Sequence, residues 1–252
     1  MSDAQLAQWE RDEAAVFEGW DFAYIGARSA QDEPRWSYSE RATELIRASR
    51  RLLDVDTGGG ERLASLAPLP PQTKAIESYP PNVAVARERL APLGVVVEAL
   101  AVGARFPFAD AAFDLILNRH GHLNAPETAR TLAPGGVFFS QQVGADNLAD
   151  LAAAFGADPS PSDNLPAVTA RLEAEGLAIV RAEAWRGQQT FRDVGALVYF
   201  LKAIPWVVPG FSVKSHQTAL ARLQDRLGAG GALAFSISRF LVEATKPPQD
   251  PA

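Results

Sequence analysis

The chain has 252 residues, enough for one domain with a substantial core, and 47% of them are hydrophobic against 21% charged. A net charge of -6 and a pI near 5.2 give it no general attraction to phosphate backbones, which disfavours nucleic acid as a partner. It contains no cysteine, which excludes disulfides, thiolate-bound zinc and thiol nucleophiles, and its three histidines (His120, His122 and His216) show no metal-ligand spacing.

Residues 1–17 are charged and lack the apolar core of a signal peptide. The longest apolar run, residues 196–211, is interrupted by Lys202, Pro205 and Pro209 and falls short of the roughly 20 residues that span a bilayer. A cytoplasmic protein is expected. Residues 1–48 read as a partly helical segment rich in aromatics, among them Trp20, Tyr24, Trp36 and Tyr38. From Leu52 onward extended and helical signals alternate. Strands are predicted at 51–55, 74–77, 95–97, 113–117 and 137–139, the last following a Pro134-Gly135-Gly136 turn. Helical spacing follows the first strand at 61–67, and Pro80-Pro81 opens the next helix. Helices near 146–155 and 167–175, a strand at 177–186, helices at 193–204 and 213–227, and a final strand at 232–244 complete the series. Strands separated by helices of about ten residues imply βαβ crossovers and a parallel sheet covered on both faces. Such sheets bind ligands beyond the carboxyl ends of their strands, so the residues just after each strand are the ones to inspect.

Three segments carry chemistry. Leu52-Leu53-Asp54-Val55-Asp56-Thr57-Gly58-Gly59-Gly60 is a strand entering a glycine turn, where the absence of Cβ lets backbone N–H groups approach a ligand. Glu77 ends the next strand, where a carboxylate can accept hydrogen bonds from both hydroxyls of a ribose; a solvated strand-end acid is the plainer reading. Arg105-Phe106-Pro107-Phe108 then leads into Phe113-Asp114-Leu115, and Leu132-Ala133-Pro134-Gly135-Gly136 follows.

In that order these motifs resemble the class I S-adenosylmethionine-dependent methyltransferases, close to small bacterial enzymes with a ubiquinone/menaquinone-type core, over roughly residues 52–143. The resemblance implies an α/β fold, a Rossmann-like seven-stranded mostly parallel sheet with helices on both faces and the last strand antiparallel. It implies S-adenosylmethionine as cofactor, with Asp54, Asp56, Gly58 and Gly60 on the methionine side and Glu77 on the ribose. Ser78 and Tyr79 would lie beside the adenine, Val102, Gly103 and Ala104 along its edge, and Asn118 and Arg119 below the sulfonium. Two positions depart from the family: Asp56 replaces the first glycine of the turn, and Val102 stands where many members place an acid. A methyltransferase domain is expected over 49–246, with a helical insertion at 193–228, an N-terminal lid over 1–48 and a tail from 247.

Methyl transfer from a sulfonium is a direct displacement, so positioning supplies much of the rate and a base serves only an acceptor that must lose a proton. His120 is the candidate base, with a histidine that merely orients a loop as the plainer reading; no metal is expected. Gln141 and Gln142 either hydrogen-bond an acceptor or tie down a loop. In the lid, Trp20 and Tyr24 are placed to stack on a flat substrate and Arg28 to pair with the cofactor carboxylate. Tyr199 and Trp206 belong to an aromatic stretch that either selects the substrate or forms a homodimer surface. The reading is a methyltransferase acting on a small molecule rather than nucleic acid. The alternatives are a catalytically degenerate binding or regulatory protein on the same fold, an RNA methyltransferase, and an NAD-dependent oxidoreductase, whose G-x-G-x-x-G turn is not matched here.

Overall fold

The computed structural model describes residues 2–17, 22–158 and 163–248. Eight strands form one sheet: β1 (Ser29–Gln31), β2 (Arg51–Val55), β3 (Gln72–Glu77), β4 (Val96–Ala99), β5 (Phe113–Arg119), β6 (Leu132–Val143), β7 (Ala178–Phe191) and β8 (Leu233–Thr245). Their order is β1-β7-β8-β6-β5-β2-β3-β4. The pairs β2–β3, β2–β5, β3–β4 and β5–β6 are parallel, while β8 runs antiparallel to β6. The α/β class and the antiparallel last strand are as the sequence indicates. The eighth strand, β1, is an addition whose three residues, none of them buried, gave no period-2 pattern to reveal it. It pairs antiparallel with β7.

The strands β2 and β5 are buried at most positions on both faces, as the middle of a doubly wound sheet requires. The Pro134-Gly135-Gly136 segment is a wide bulge inside β6 rather than a turn before it. Register passes from Phe113↔Leu132 to Leu115↔Val137 across it. Gly136 fits because a Cβ there would stand 2.8 Å from Ala133 O and 3.0 Å from Asp114 O. Asp114 in turn accepts the backbone N–H groups of Arg50 and Arg51 and pairs with the Arg51 guanidinium, fixing the start of β2 against β5.

Nine helices are described: α1 (Asp3–Ala14), α2 (Tyr38–Ala48), α3 (Glu61–Ser65), α4 (Pro80–Leu90), α5 (Ala125–Thr131), α6 (Ala149–Ala154), α7 (Leu165–Ala174), α8 (Val194–Ala203) and α9 (Gln217–Gly228). Their starts follow ordinary capping chemistry. Ser2 and Gln5 form a capping box, Ser37 accepts from Glu40 N, Asn124 from Glu127 N and Asp193 from Ala196 N. None is long and apolar enough to cross a membrane, among the described residues.

The contacts divide the chain into two compact units, residues 1–34, 144–162 and 185–238 in the first, and 35–143, 163–184 and 239–252 in the second. The predicted N-terminal segment is thus shared between the units, and the predicted insertion at 193–228 lies within the first. The first unit packs Trp9, Ile25, Phe191, Tyr199 and Phe235 around α8, which is buried at eight of its ten positions. Asp12 is fully buried there and ionised: burial pushes its pKa up, but the Arg28 guanidinium, Gln8 and Tyr24 outweigh that and hold it below the usual carboxylate range. The second unit packs Leu53, Ile76, Ile116, Phe138, Leu172 and Val242 as its core.

Candidate functional site

The site belongs to the second unit and begins at the turn after β2. Asp56, Gly58 and Gly60 all take left-handed backbone angles, with φ of 55°, 64° and 81°. At Asp56 that conformation explains why glycine is the usual occupant, and aspartate is one of the few other residues to tolerate it. Gly60 opens α3, and a Cβ there would sit 2.8 Å from Leu90 Cγ. Gly60→Ala is therefore expected to cost about 2 kcal/mol in a urea titration, from the left-handed angle and the contact together. A loss under about 0.5 kcal/mol would show that α3 re-seats freely.

Glu77 organises the turn. Its side chain is buried, Oε2 accepts the Gly58 N–H at 2.6 Å and Oε1 accepts the Tyr79 N–H at 2.8 Å. One carboxylate thus fixes the glycine turn and the loop after β3 together. Burial pushes its pKa up, the two backbone donors pull it down, and the charge of Asp56 adds to the rise. Asp54 is also buried, and desolvation raises its pKa to about 7, with Asp56 and Glu77 adding to the rise and Arg119 opposing it. The Thr57 hydroxyl lies close enough to oppose the rise as well, yet Oγ1 is buried without a hydrogen bond of acceptable geometry.

Asp56 does not simply project a charge into the site. Its Oδ2 accepts the backbone N–H of His122 at 2.7 Å, tying the turn after β2 to the loop after β5. Gly121 is required beside it, since a Cβ there would stand 2.5 Å from Asp56 Cβ. The buried Asn118 supports the same loop: Nδ2 donates to Val55 O and His122 O, both at 3.3 Å, while Oδ1 accepts from Gln142 and Ser140. Ser78, Val102, Gly103 and Ala104 line a cleft with Asp56, Glu77, His122 and Asn124. Val102 and Tyr79 are largely exposed. The cleft wall is held from behind, where Glu127 accepts the Phe106 N–H at 2.7 Å and Arg130 clamps the carbonyls of Phe106 and Phe108.

His120 follows β5, keeps solvent access and takes the left-handed region with φ of 59°. Its N–H donates to Gln141 O at 2.8 Å, and its Nε2 lies 3.2 Å from Gln141 Nε2. Gln141 Oε1 accepts the Trp36 indole N–H at 2.8 Å. Tyr38, at the start of α2, is buried and stacks on Phe139 at 5.0 Å, with the Arg119 guanidinium 5.8 Å from its ring centre. Burial pushes the Tyr38 hydroxyl pKa up, and the nearby charge of Asp54 adds to that. Trp36 and Tyr38 are residues whose roles the sequence did not reveal, because an aromatic ahead of a helix reads equally as packing.

The structure therefore places Asp54, Asp56, Gly58, Gly60, Glu77, Ser78, Tyr79, Val102, Gly103, Ala104, Asn118, Arg119 and His120 at or just beyond the carboxyl ends of β2, β3, β4 and β5. Of the remaining candidates, Tyr24, Arg28, Tyr199 and Trp206 lie in the first unit. Trp20 lies outside the described residues. Tyr24 is half exposed and donates to Asp12 at 2.9 Å, and Arg28 is engaged with Asp12 at 2.8 Å and Asp193 at 3.2 Å. Tyr199 is a core side chain whose hydroxyl donates to Val16 O, while Trp206 is half exposed.

Comparison with known proteins agrees with this geometry. Residues 53–140 match the family model described as a methyltransferase domain. No curated protein matches the sequence significantly. Among solved structures, the YcgJ protein from Bacillus subtilis is 18% identical, with a TM-score of 0.59 over 84% of this chain and 98% of that one. A putative methyltransferase from Bacillus halodurans is 17% identical, with a TM-score of 0.60 over 84% of this chain and all of that one. The [4+2]-cyclase SpnF is 18% identical, with a TM-score of 0.52 over 96% of this chain and 92% of that one. Residues 53–140 are thus similar to a methyltransferase domain, and the chain shares the α/β fold of these solved structures.

Proposed function

We propose that the protein is an S-adenosylmethionine-dependent methyltransferase acting on a small molecule. The observation that carries this reading is the acidic, backbone-lined cradle formed by Asp54, Glu77 and the left-handed glycine turn. Asp54, Asp56 and Glu77 raise one another's energy as charges, and a ligand bearing an ammonium and a sulfonium relieves that repulsion. Thr57 Oγ1 is a buried polar atom in need of a partner at the same place, and the Glu77 oxygens keep lone pairs beyond those used by Gly58 and Tyr79.

When bound, the cofactor would supply an electrophilic methyl group that the acceptor attacks in line, with S-adenosylhomocysteine as the leaving group. The chain's own residues position. Glu77 holds the ribose side, the loop from Val102 to Ala104 forms the adenine edge, and Asn118 fixes the floor after β5. Asp56 holds the β5 loop against the β2 turn through His122 N, so its charge is in part absorbed by that donor. Calorimetric titration is expected to give micromolar binding of S-adenosylmethionine and S-adenosylhomocysteine and none of NAD. Failure of both sulfur compounds to bind at millimolar concentration would sink this reading in favour of a binding protein that keeps only the fold.

A further inference from the structure

The relay Trp36–Gln141–His120 has a chemical consequence that depends only on donors and acceptors. An indole nitrogen donates and never accepts, so the atom of Gln141 facing Trp36 at 2.8 Å is its oxygen. The amide NH2 must then face His120 Nε2, at 3.2 Å. That contact is a hydrogen bond only if Nε2 offers its lone pair, which places the ring proton on Nδ1. Nδ1 makes no hydrogen bond among the described residues, and the residue is open to solvent. The histidine is also held in a left-handed conformation, a cost of about 1 kcal/mol or more that the surrounding loop imposes.

Arginines stand on the elements around it. Arg119 precedes it on β5 and pairs in register with Gln141, and Arg239 on β8 pairs with Val143 at the same end of β6. Arg62 on α3 reaches Ser39 of α2 at 3.0 Å, one residue from the Tyr38 ring over which Arg119 lies.

We propose that His120 is a hydrogen-bond donor locked in its Nδ1–H tautomer by Gln141 and Trp36, and that with Arg62 and Arg239 it forms a subsite for an oxyanion, such as a carboxylate, on the methyl acceptor. This rests on the methyltransferase reading for the word acceptor, while the tautomer does not. A general base is then not what the residue offers, because its only lone pair is taken by Gln141.

Long-range proton–nitrogen spectra of histidine-15N protein at pH 7.5 test the first part, with His120→Gln assigning the signals. A protonated Nδ1 and bare Nε2 are expected in the wild type, with the population moving toward Nε2–H in Trp36→Phe, where the amide is free to turn. A wild-type Nε2–H or doubly protonated ring overturns the relay. For the subsite, protein saturated with S-adenosylhomocysteine is titrated with benzoate and with uncharged benzamide. Benzoate alone should shift the His120 resonances, and the Arg62→Gln/Arg239→Gln variant should weaken it at least fivefold with S-adenosylhomocysteine affinity unchanged. An equal response to benzamide, or no response to benzoate, overturns the oxyanion subsite. An equal loss of S-adenosylhomocysteine affinity in the variant overturns it too, assigning the arginines to the cofactor's carboxylate. If S-adenosylhomocysteine does not bind at all, the proposed function fails while the tautomer result stands.

Discussion

Glu77→Gln is expected to weaken S-adenosylhomocysteine binding about 100-fold, roughly 3 kcal/mol, in calorimetric titration. The reason is geometric. The Gly58 and Tyr79 N–H groups each face a different oxygen of one carboxylate. An amide has one oxygen, so whichever way it turns, its NH2 meets one of those donors. The glycine turn or the loop after β3 must then shift, and the ribose loses a charged acceptor at the same time. Thermal unfolding should fall alongside, since a buried N–H left without an acceptor costs about 1–3 kcal/mol. A variant that binds within threefold of wild type would show that Glu77 is a structural tie with no part in the ligand site.

Asp54→Asn should stabilise the protein most at pH 8.5 and by well under half as much at pH 5, about 1.5 kcal/mol. Burial raises the folded-state pKa of Asp54 to about 7, against an unfolded value of about 3.9. A raised carboxylate contributes stability that is fully present below the unfolded pKa. It is lost as pH climbs through the folded one, because the unfolded chain ionises first. The interval of about three pH units corresponds to at most about 4 kcal/mol. Asparagine is a near-isosteric neutral side chain, so the variant keeps its stability where the wild type loses it. Urea titrations of both proteins at the two pH values give the difference, in which the other titrating groups largely cancel. A variant no more stable than wild type at pH 8.5 would mean that Asp54 ionises freely in the folded protein.

The alternation of apolar strands with helical spacing made the central sheet legible, because strands buried on both faces leave short apolar runs such as Leu52-Leu53 and Leu115-Ile116-Leu117. Glu77 was legible for a related reason. A carboxylate at a strand end is conspicuous when a glycine cluster ends the strand before it. The bulge in β6 was not, since Pro134-Gly135-Gly136 carries the same local signature in a turn as in a strand that detours around Asp114 O. The short strand β1 and helix α5 escaped as well, being held by partners far along the chain rather than by their own periodicity.

The difference is clearest at Asp56 and His120. By sequence, Asp56 was an anomaly in a glycine position and His120 an available base; both judgements rested on residue type. The fold gives Asp56 a backbone donor 66 positions away and spends the His120 lone pair on Gln141. The sequence by itself determined which residues stand at the carboxyl ends of the strands, because burial periodicity is a local property of the chain. What each of them does there depends on which donors and acceptors the tertiary structure sets against it, and hydrogen-bond partners brought from distant segments leave no mark on local sequence.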